Sequence, residues 1–366
     1  MKENLVKREM SSKQNYNAID IARVIFAILV VSAHVKPLGN VDEDSFLGII
    51  NFFIQKYMAR IAVPFFFVSS GFFLYRKMYN KREIRQVSVA YIKRLLRQYF
   101  IWSIIYLPLS VEEFLGHKWG WYHSIKIYIR NVIFAGSFIH LWFLPALVFS
   151  IILVSFMLIH DIHPKVIVLV AFLFYIMGLL GQSWYGMILP IKGAWPELWT
   201  ALKRVGAIIV TTRDGLFDGF LYVAIGMYLA VRNVRLKMTT AIEYFCMSMV
   251  AMLAEVLLLQ YIGFICAYEM FLFAVPATLF LFLFLIELYL NENDIYKDLR
   301  IISKIIYFSH FWIYVAIKRL FSKIHQSMAD SCLVFIFTLL FAFLLSFVVM
   351  KVSRNKMFSW LKILYT

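Results

Sequence analysis

The sequence predicts an all-α integral membrane protein in which about ten helices cross the bilayer. Of its 366 residues, 62% are hydrophobic and 16% are charged, whereas soluble domains are about half apolar and about a quarter charged. The mean hydropathy is +0.77, and many apolar runs approach the roughly 20 residues that span a bilayer core. The net charge of +16 resides mostly in segments between these runs, which is typical of loops held on the cytoplasmic side rather than of a nucleic-acid-binding surface.

The apolar runs define the expected helices, because a backbone amide in lipid must find its partner within its own helix. The whole chain, residues 1–366, is then a single transmembrane domain. The runs predict helices at 19–36, 58–75, 98–113, 137–159, 166–181, 206–230, 239–260, 270–290, 303–319 and 331–350.

The distribution of Lys and Arg predicts that both termini lie in the cytoplasm and that the chain crosses the plasma membrane. With this orientation the inner segments hold about 23 of the 37 basic residues, as the positive-inside rule requires. The first outer loop is acidic instead and contains Asp42, Glu43 and Asp44. Because the first run carries Asp20 and Arg23, it is expected to be a retained helix rather than a cleaved signal.

A basic amphipathic helix is expected on the cytoplasmic surface between Lys81 and Arg97, where the sequence reads KREIRQVSVAYIKRLLR. Apolar residues recur there near helical spacing, with bases between them. They are Ile84, Val87, Ala90, Tyr91 and Leu95. The helix could anchor the protein to lipid or hold anionic groups such as the phosphates of a coenzyme.

Three ionisable residues of the first helix share one face: Asp20, Arg23 and His34. At 100° per residue, Arg23 lies about 60° from Asp20 and His34 about 20° from Arg23. Arg23 and His34 are separated by roughly 16 Å along the helix axis. An ionisable group at membrane depth is costly and therefore marks a candidate functional site, although an Asp–Arg pair could also simply tie down a helix end.

Further polar residues come from helices far apart in the sequence and are expected in the outer half of the membrane. They are Arg60, His140, Trp142, Arg213, Asp214, Glu255 and His310. This convergence predicts a polar, substrate-binding pocket open to the outer face, suited to either catalysis or transport.

Other chemistry-bearing motifs are absent from the sequence. There is no Walker, GxSxG or HExxH pattern. The three cysteines, Cys246, Cys266 and Cys332, lie in apolar runs without metal-ligand spacing. We therefore expect no metal site and no bound cofactor.

Two segments resemble the acyltransferase 3 family of membrane acyltransferases. NAIDIARVIFAILVVSAHV resembles the family's opening motif, in which an Arg is followed after ten residues by a His, here Arg23 and His34. ARIAVPFFFVSSGFFL resembles its second motif, with Arg60, Pro64, Ser70 and Gly71. The resemblance extends over nearly the whole chain.

Four further segments are similar to the membrane half of VanT-type serine racemases. They are HLWFLPAL from His140, GLLGQSWYGMI from Gly178, TTRDGLFDG from Thr211 and AEVLLLQ from Ala254. This sequence differs from the subgroup at Gln182, where an Asp is usual, at Asp214, which replaces an Asn, and at Tyr268–Met270, which matches a His-Asp-Ser-Met run only loosely.

The family resemblance implies transfer of an acyl group, in the simplest case acetyl, from cytoplasmic acyl-CoA to a hydroxyl of an outer-face glycan, glycolipid or cell-wall acceptor. His34 would be the general base, because a histidine titrates near neutral pH. Asp20 would orient Arg23, which would hold the donor's phosphate or carbonyl end. Arg60 and Arg213 would stabilise negative charge on the reacting oxygen.

Two alternatives remain open from the sequence. In a VanT-like uptake module, Arg213 or Arg60 would bind the carboxylate of L-serine and Glu255 its ammonium group, and a separate soluble racemase would be the partner inside. In a structural membrane anchor, neither Arg23 nor His34 would be needed.

Overall fold

The computed structural model describes residues 16–76, 78, 80–116, 120–209, 211–322 and 329–366. Throughout these ranges the regular structure is helical, without strands, which confirms the all-α prediction. The helices are α1 Asn17–Val35, α2 Phe46–Tyr75, α3 Lys81–Gly116, α4 Trp121–Phe134, α5 Phe143–Ile159, α6 Pro164–Leu179, α7 Pro196–Ile209, α8 Gly215–Arg232, α9 Met238–Tyr261, α10 Ala274–Glu287, α11 Ile295–Ser322 and α12 Ala329–Val352.

The helices include many that are long and apolar enough to cross a membrane, as expected for a multi-pass membrane protein. In the described part of the chain, six qualify by length and composition, namely α1, α2, α8, α9, α11 and α12. Three shorter apolar helices, α5, α6 and α10, accompany them.

The basic amphipathic helix is present and is longer than the sequence suggested. It continues without interruption into the third predicted crossing, so that α3 runs for 36 residues. The stretch from Lys81 to Leu107 contains neither Gly nor Pro, and nothing in it therefore breaks the helix.

Two of the predicted helices are interrupted or start late. Residues 137–142 form turns, and α5 begins only at Phe143. The run predicted at 206–230 is divided, because α7 ends at Ile209 and α8 begins at Gly215. At this break the Asp214 carboxylate accepts hydrogen bonds from the amides of Leu216 and Phe217, each at 2.9 Å, which favours a new helix start.

Helix α2 begins earlier than predicted and changes its winding in the middle. A π-helical turn, Phe53–Tyr57, is followed by a 3₁₀ turn, Met58–Ile61, before the α-helix resumes. The Gln55 carbonyl in this irregular stretch accepts from Arg60 Nε at 3.0 Å and from Arg60 Nη2 at 2.6 Å. The irregular winding therefore fixes the Arg60 guanidinium within the protein.

Helix α1 occupies a central position and packs against α2, α10, α11 and α12. Beside it, α2 and α8 approach closely through glycines. A Cβ at Gly71 would lie 2.4 Å from the Val223 carbonyl oxygen, and one at Gly226 would lie 2.2 Å from the Val68 carbonyl oxygen. Small residues at such contacts allow membrane helices to pack backbone to backbone.

Candidate functional site

Polar groups gather at both ends of α1, which we call the Arg23 side and the His34 side. At the Arg23 side, Asp20 is 1% exposed and accepts hydrogen bonds from two arginines. Arg23 Nη1 donates to Asp20 Oδ1 at 2.6 Å, while Arg300 Nε and Nη2 donate to its two oxygens at 2.9 and 2.5 Å. Arg23 also donates to the Ser69 hydroxyl at 2.8 Å. Asp20 thus forms ion pairs with Arg23 and with a second arginine, Arg300.

A pocket of about 550 Å³ opens at the Arg23 side. The walls come from α2, α3, α5 and α11, and they combine aromatic rings with cationic and hydroxyl groups. Prominent lining residues are Arg23, Ser69, Phe73, Tyr91, Arg94, Gln98, Phe143, Arg300, Lys304 and Tyr307. The amphipathic segment of α3 therefore contributes a wall of the pocket.

The charges around this pocket are mainly positive. Arg94 comes from α3, and Arg300 and Lys304 come from one face of α11. Of the three, Arg300 is paired with Asp20, whereas Lys304 Nζ donates to the backbone carbonyl of Tyr365 at 3.3 Å. Such a cluster suits an anionic ligand with several charged oxygens.

At the His34 side three imidazole rings lie close together. The ring centroids are 4.9 Å apart for His140 and His310, 5.4 Å for His34 and His310, and 6.3 Å for His34 and His140. Helices α1 and α11 and the turn before α5 supply one ring each. Three of the predicted site residues therefore form one cluster.

Two arginines and one glutamate adjoin the imidazoles. Glu269 Oε2 accepts from Arg60 at 2.7 Å and lies 2.9 Å from Arg213 Nη1. The Arg213 guanidinium also stacks over the Trp142 ring, 4.6 Å from its centroid. Burial would raise the pKa of the Glu269 carboxyl, but the charges of Arg60 and Arg213 outweigh it and lower that pKa to about 2.

Glu269 lies on the loop between α9 and α10, and that loop is fixed by Glu255. The Glu255 carboxylate accepts from Trp184 Nε1 and from the amides of Leu272 and Phe273, each at 2.9 Å. The loop carbonyl of Phe271 accepts from the Tyr175 hydroxyl at 2.7 Å. Glu255 thus supports the site through the loop.

Asp214 occupies a comparable supporting position as the cap of α8. Its carboxylate accepts hydrogen bonds from the amides of Leu216 and Phe217. Asp214 thereby fixes the break at which the chain delivers the neighbouring Arg213 to Glu269.

The pocket and the imidazole cluster share a wall. Tyr307 lines the pocket, and its hydroxyl donates to the backbone carbonyl of His140. Phe143 lines the same pocket three residues after His140, and its ring lies 5.9 Å from that of Tyr307. The two polar sites are therefore neighbours across a layer of aromatic side chains.

Several residues of the two sites were not among the residues predicted from the sequence, namely Arg300, Lys304, Tyr307 and Glu269. Arg94 belongs to the basic segment predicted to anchor to lipid or to hold anionic groups. Arg300, Lys304 and Tyr307 recur at helical spacing, and this basic and aromatic stripe at the start of α11 is a signal in the sequence. Glu269 gives no such signal, because its partners Arg60 and Arg213 are distant in the chain. Among the described residues, no group of three or more His, Cys, Asp or Glu is arranged to hold a metal ion.

The fold is that of a multi-pass membrane protein, and a cluster of polar side chains lies at each end of its first helix. Residues 16–351 match the model of the Acyl_transf_3 family, described as an acyltransferase domain. The chain therefore belongs to the acyltransferase 3 family. The match begins just before Asp20 and includes the side chains of both sites. Tyr365, whose backbone carbonyl accepts from Lys304, lies beyond the matched range.

Curated relatives carry racemase names. The chain is 29% identical over 296 residues to a serine/alanine racemase of Enterococcus gallinarum, covering 80% of this chain and 40% of the relative. It is 26% identical over 350 residues to an amino-acid racemase of Enterococcus faecalis, covering 94% of this chain and 47% of the relative. The chain thus spans less than half the length of these relatives. No solved structure matches.

Proposed function

We propose that this protein transfers an acyl group from cytoplasmic acyl-CoA, bound at the Arg23 side, to a hydroxyl of an envelope glycan or glycolipid, bound at the His34 side. The observation that carries the proposal is the shared wall. A basic pocket and a histidine cluster meet at Tyr307 and Phe143, which would bring a donor thioester close to a candidate base. The cytoplasm is assigned to the Arg23 side because the basic segment of α3 lies there.

The pocket has the chemistry that acyl-CoA requires. Phosphate oxygens would bind Arg94, Arg300 and Lys304, because charge-assisted hydrogen bonds to phosphates are strong. The pantetheine arm would lie along the aromatic and hydroxyl lining, which includes Ser69 and Phe73. Arg23, held by Asp20 and Ser69, would contact the donor deeper in the pocket.

At the other end of α1, His34 would remove the proton of the acceptor hydroxyl as it attacks the thioester carbonyl carbon. Arg60 and Arg213 would stabilise the negative charge on the reacting oxygen. Glu269 would hold the two guanidinium groups in position between turnovers, since it contacts both. Trp142, stacked on Arg213, would present an apolar face to a sugar ring.

A direct test uses the purified protein in lipid nanodiscs with radiolabelled acetyl-CoA and a membrane glycolipid extract. We expect loss of label from acetyl-CoA with the wild type and none with His34→Ala. The exposed histidine His160 on the far end of α5 provides a matched control, and His160→Ala should behave as the wild type. Label loss that is equal in the wild type and in His34→Ala would contradict the proposal.

Uptake of an amino acid is the second candidate, and one feature of the His34 side favours it. Arg60, Arg213 and Glu269 present opposite charges together, an arrangement that suits a zwitterion. Glu255 is less suited to an ammonium ligand than the sequence suggested, because it already accepts from three N–H donors. Here a separate soluble racemase would be the partner. Uptake of L-serine into vesicles, abolished in Glu269→Gln, would support this candidate over acyl transfer.

A further inference from the structure

The imidazole cluster contains buried nitrogen atoms that have no hydrogen-bond partner among the described residues. His310 is 0% exposed and its Nε2 has no partner. His140 is 1% exposed, and both of its ring nitrogens are without partners. Buried polar atoms are nearly always satisfied in native proteins, and these therefore indicate groups that find their partners during function.

The hydrogen bonds of His310 determine which of its nitrogens carries the proton. Nδ1 lies 3.1 Å from the carbonyl oxygen of Ile306 and 2.8 Å from that of Tyr307. Carbonyl oxygens only accept hydrogen bonds, so Nδ1 must be the protonated nitrogen. In the neutral ring Nε2 then carries the lone pair and can act only as an acceptor.

His34 is placed to supply the missing donor. Its ring centroid is 5.4 Å from that of His310, and the two ring planes are inclined by 31°. Two imidazoles joined edge to edge by an N–H···N hydrogen bond of about 3 Å have centroids roughly 5 Å apart. The observed separation is close to this value, and rotation of the His34 side chain on substrate binding could form the bond.

We infer that His310 is the positioning residue for His34. It accepts the N–H of one His34 nitrogen and thereby leaves the lone pair of the other nitrogen directed at the acceptor hydroxyl. The inference rests on the proposed acyl transfer. A carboxylate has this orienting role beside the histidine of a serine hydrolase, whereas here a neutral imidazole of fixed tautomer has it.

In this reaction His34 is the only protein group that changes its protonation state. The acceptor oxygen attacks the thioester carbonyl carbon while its proton passes to His34, and the resulting His34 imidazolium is stabilised by its hydrogen bond to His310 Nε2. The carbon–sulfur bond then breaks, and His34 returns the proton to the departing thiolate. The products are the acyl ester and the free thiol of CoA.

Other titratable and charged groups surround the two rings and contribute to any pH dependence. His140 precedes α5, Arg60 comes from α2, Arg213 precedes α8, and Glu269 comes from the α9–α10 loop. Tyr106 of α3 and Tyr307 of α11 contact the His140 ring, with centroid distances of 4.7 and 5.7 Å. None of these groups is altered by a substitution at position 310.

Two substitutions separate the orienting role from a merely structural one. In His310→Gln the amide end reaches the position of Nε2 and can offer an oxygen acceptor to His34. In His310→Asn the side chain retains the position of Nδ1 but is too short to reach His34. The assay follows release of CoA from acetyl-CoA with glycolipid extract as the acceptor. We expect kcat to fall about 100-fold in His310→Asn and by clearly less in His310→Gln. KM for acetyl-CoA should be unchanged in both variants.

A second measurement does not depend on acyl transfer. In protein labelled with ¹⁵N-histidine in nanodiscs, NMR distinguishes the two neutral tautomers of His34, whose signals are identified by their loss in His34→Asn. We expect one tautomer in the wild type and in His310→Gln, and a mixture in His310→Asn. An unchanged tautomer in His310→Asn would overturn the inference, as would equal losses of kcat in the two variants. If no form releases CoA, the proposed function fails, while the tautomer result still decides the role of His310.

Discussion

Individual charges are arranged differently at the two ends of α1. Arg23, Arg94, Arg300 and Lys304 line the pocket at the Arg23 side, and the Asp20 carboxylate pairs with Arg23 and Arg300. At the His34 side, Glu269 is shared by Arg60 and Arg213. The first arrangement leaves positive charge available for an anionic ligand, whereas the second is closer to balance. This difference supports a polyphosphate donor at one end and a largely neutral acceptor at the other.

Lys304 provides the most direct residue-level test of the donor pocket. We expect Lys304→Gln to weaken equilibrium binding of radiolabelled acetyl-CoA about tenfold, equivalent to about 1.4 kcal/mol, because one charge-assisted contact to phosphate is lost. Lys297, two turns earlier on α11, is exposed and pairs with Asp294 at 2.8 Å. Lys297→Gln is therefore the matched control and should bind as the wild type. Equal affinity in Lys304→Gln and the wild type would remove Lys304 from the donor site.

Glu269 is expected to stabilise the protein in a pH-dependent way. Its folded-state pKa of about 2 lies below the ordinary value of 4.5. The carboxylate therefore contributes stability that is fully present above about pH 4.5 and is lost as the pH falls toward about 2. We expect Glu269→Gln to melt at a lower temperature than the wild type at neutral pH, and the difference to shrink in acid.

The comparison needs a carboxylate without ion pairs as its control. Glu243 is exposed on α9, and Glu243→Gln should leave the melting temperature nearly unchanged at every pH. The melting temperature of Glu269→Gln could instead lie below that of the wild type by the same amount from neutral pH down to about pH 3. That result would show that ionisation of Glu269 is not the source of the difference.

Short-range residue patterns were readable from the sequence, whereas partners that meet through the fold were not. The spacing of Asp20 and Arg23 predicted one helix face, and the two side chains do form an ion pair at 2.6 Å. The convergence of His34, His140 and His310 was expected from their positions in the predicted membrane helices. Glu269 could not be found in this way, because its loop is held near Arg60 and Arg213 by hydrogen bonds from loop amides to the Glu255 carboxylate.

Helices α2 and α8 pack closely against each other, and glycines make their approach possible. We expect Gly71→Ala to lower stability by about 1 to 3 kcal/mol, because the new methyl group would overlap the Val223 carbonyl and force the helices apart. Thermal unfolding in detergent measures this loss.

Gly193 offers a control for the same chemical change, because a Cβ added there meets no atom within 4 Å. Gly193→Ala should unfold at the wild-type temperature. If Gly71→Ala were as stable as the wild type, the close contact between α2 and α8 would not contribute to the stability of the fold.

Hydropathy located the helices but not their local irregularities. The break between Ile209 and Gly215 depends on a side-chain cap by Asp214, and the π and 3₁₀ turns of α2 depend on the bonds from Arg60 to the Gln55 carbonyl. Both features place an arginine in the candidate site, and both lie within apolar runs. A hydropathy average cannot detect them, since it ignores individual side-chain hydrogen bonds.

On the scale of the whole molecule, α1 connects two different sites through the membrane domain. The Arg23 and His34 positions are separated by roughly 16 Å along its axis, and the aromatic wall of Tyr307 and Phe143 lies between the pocket and the imidazoles. A donor in the pocket and an acceptor at the His34 side would therefore approach from opposite faces. Acyl transfer would thus link the two sides of the membrane.

The measurement that tests this claim most directly is transfer of label across proteoliposomes of defined orientation. Radiolabelled acetyl-CoA is sealed on the Arg23 side and the glycolipid extract is supplied on the His34 side. We expect labelled glycolipid with the wild type and none with His34→Ala. Label that appears only when donor and acceptor share one side would contradict this claim, as would an unlabelled acceptor accompanied by uptake of L-serine.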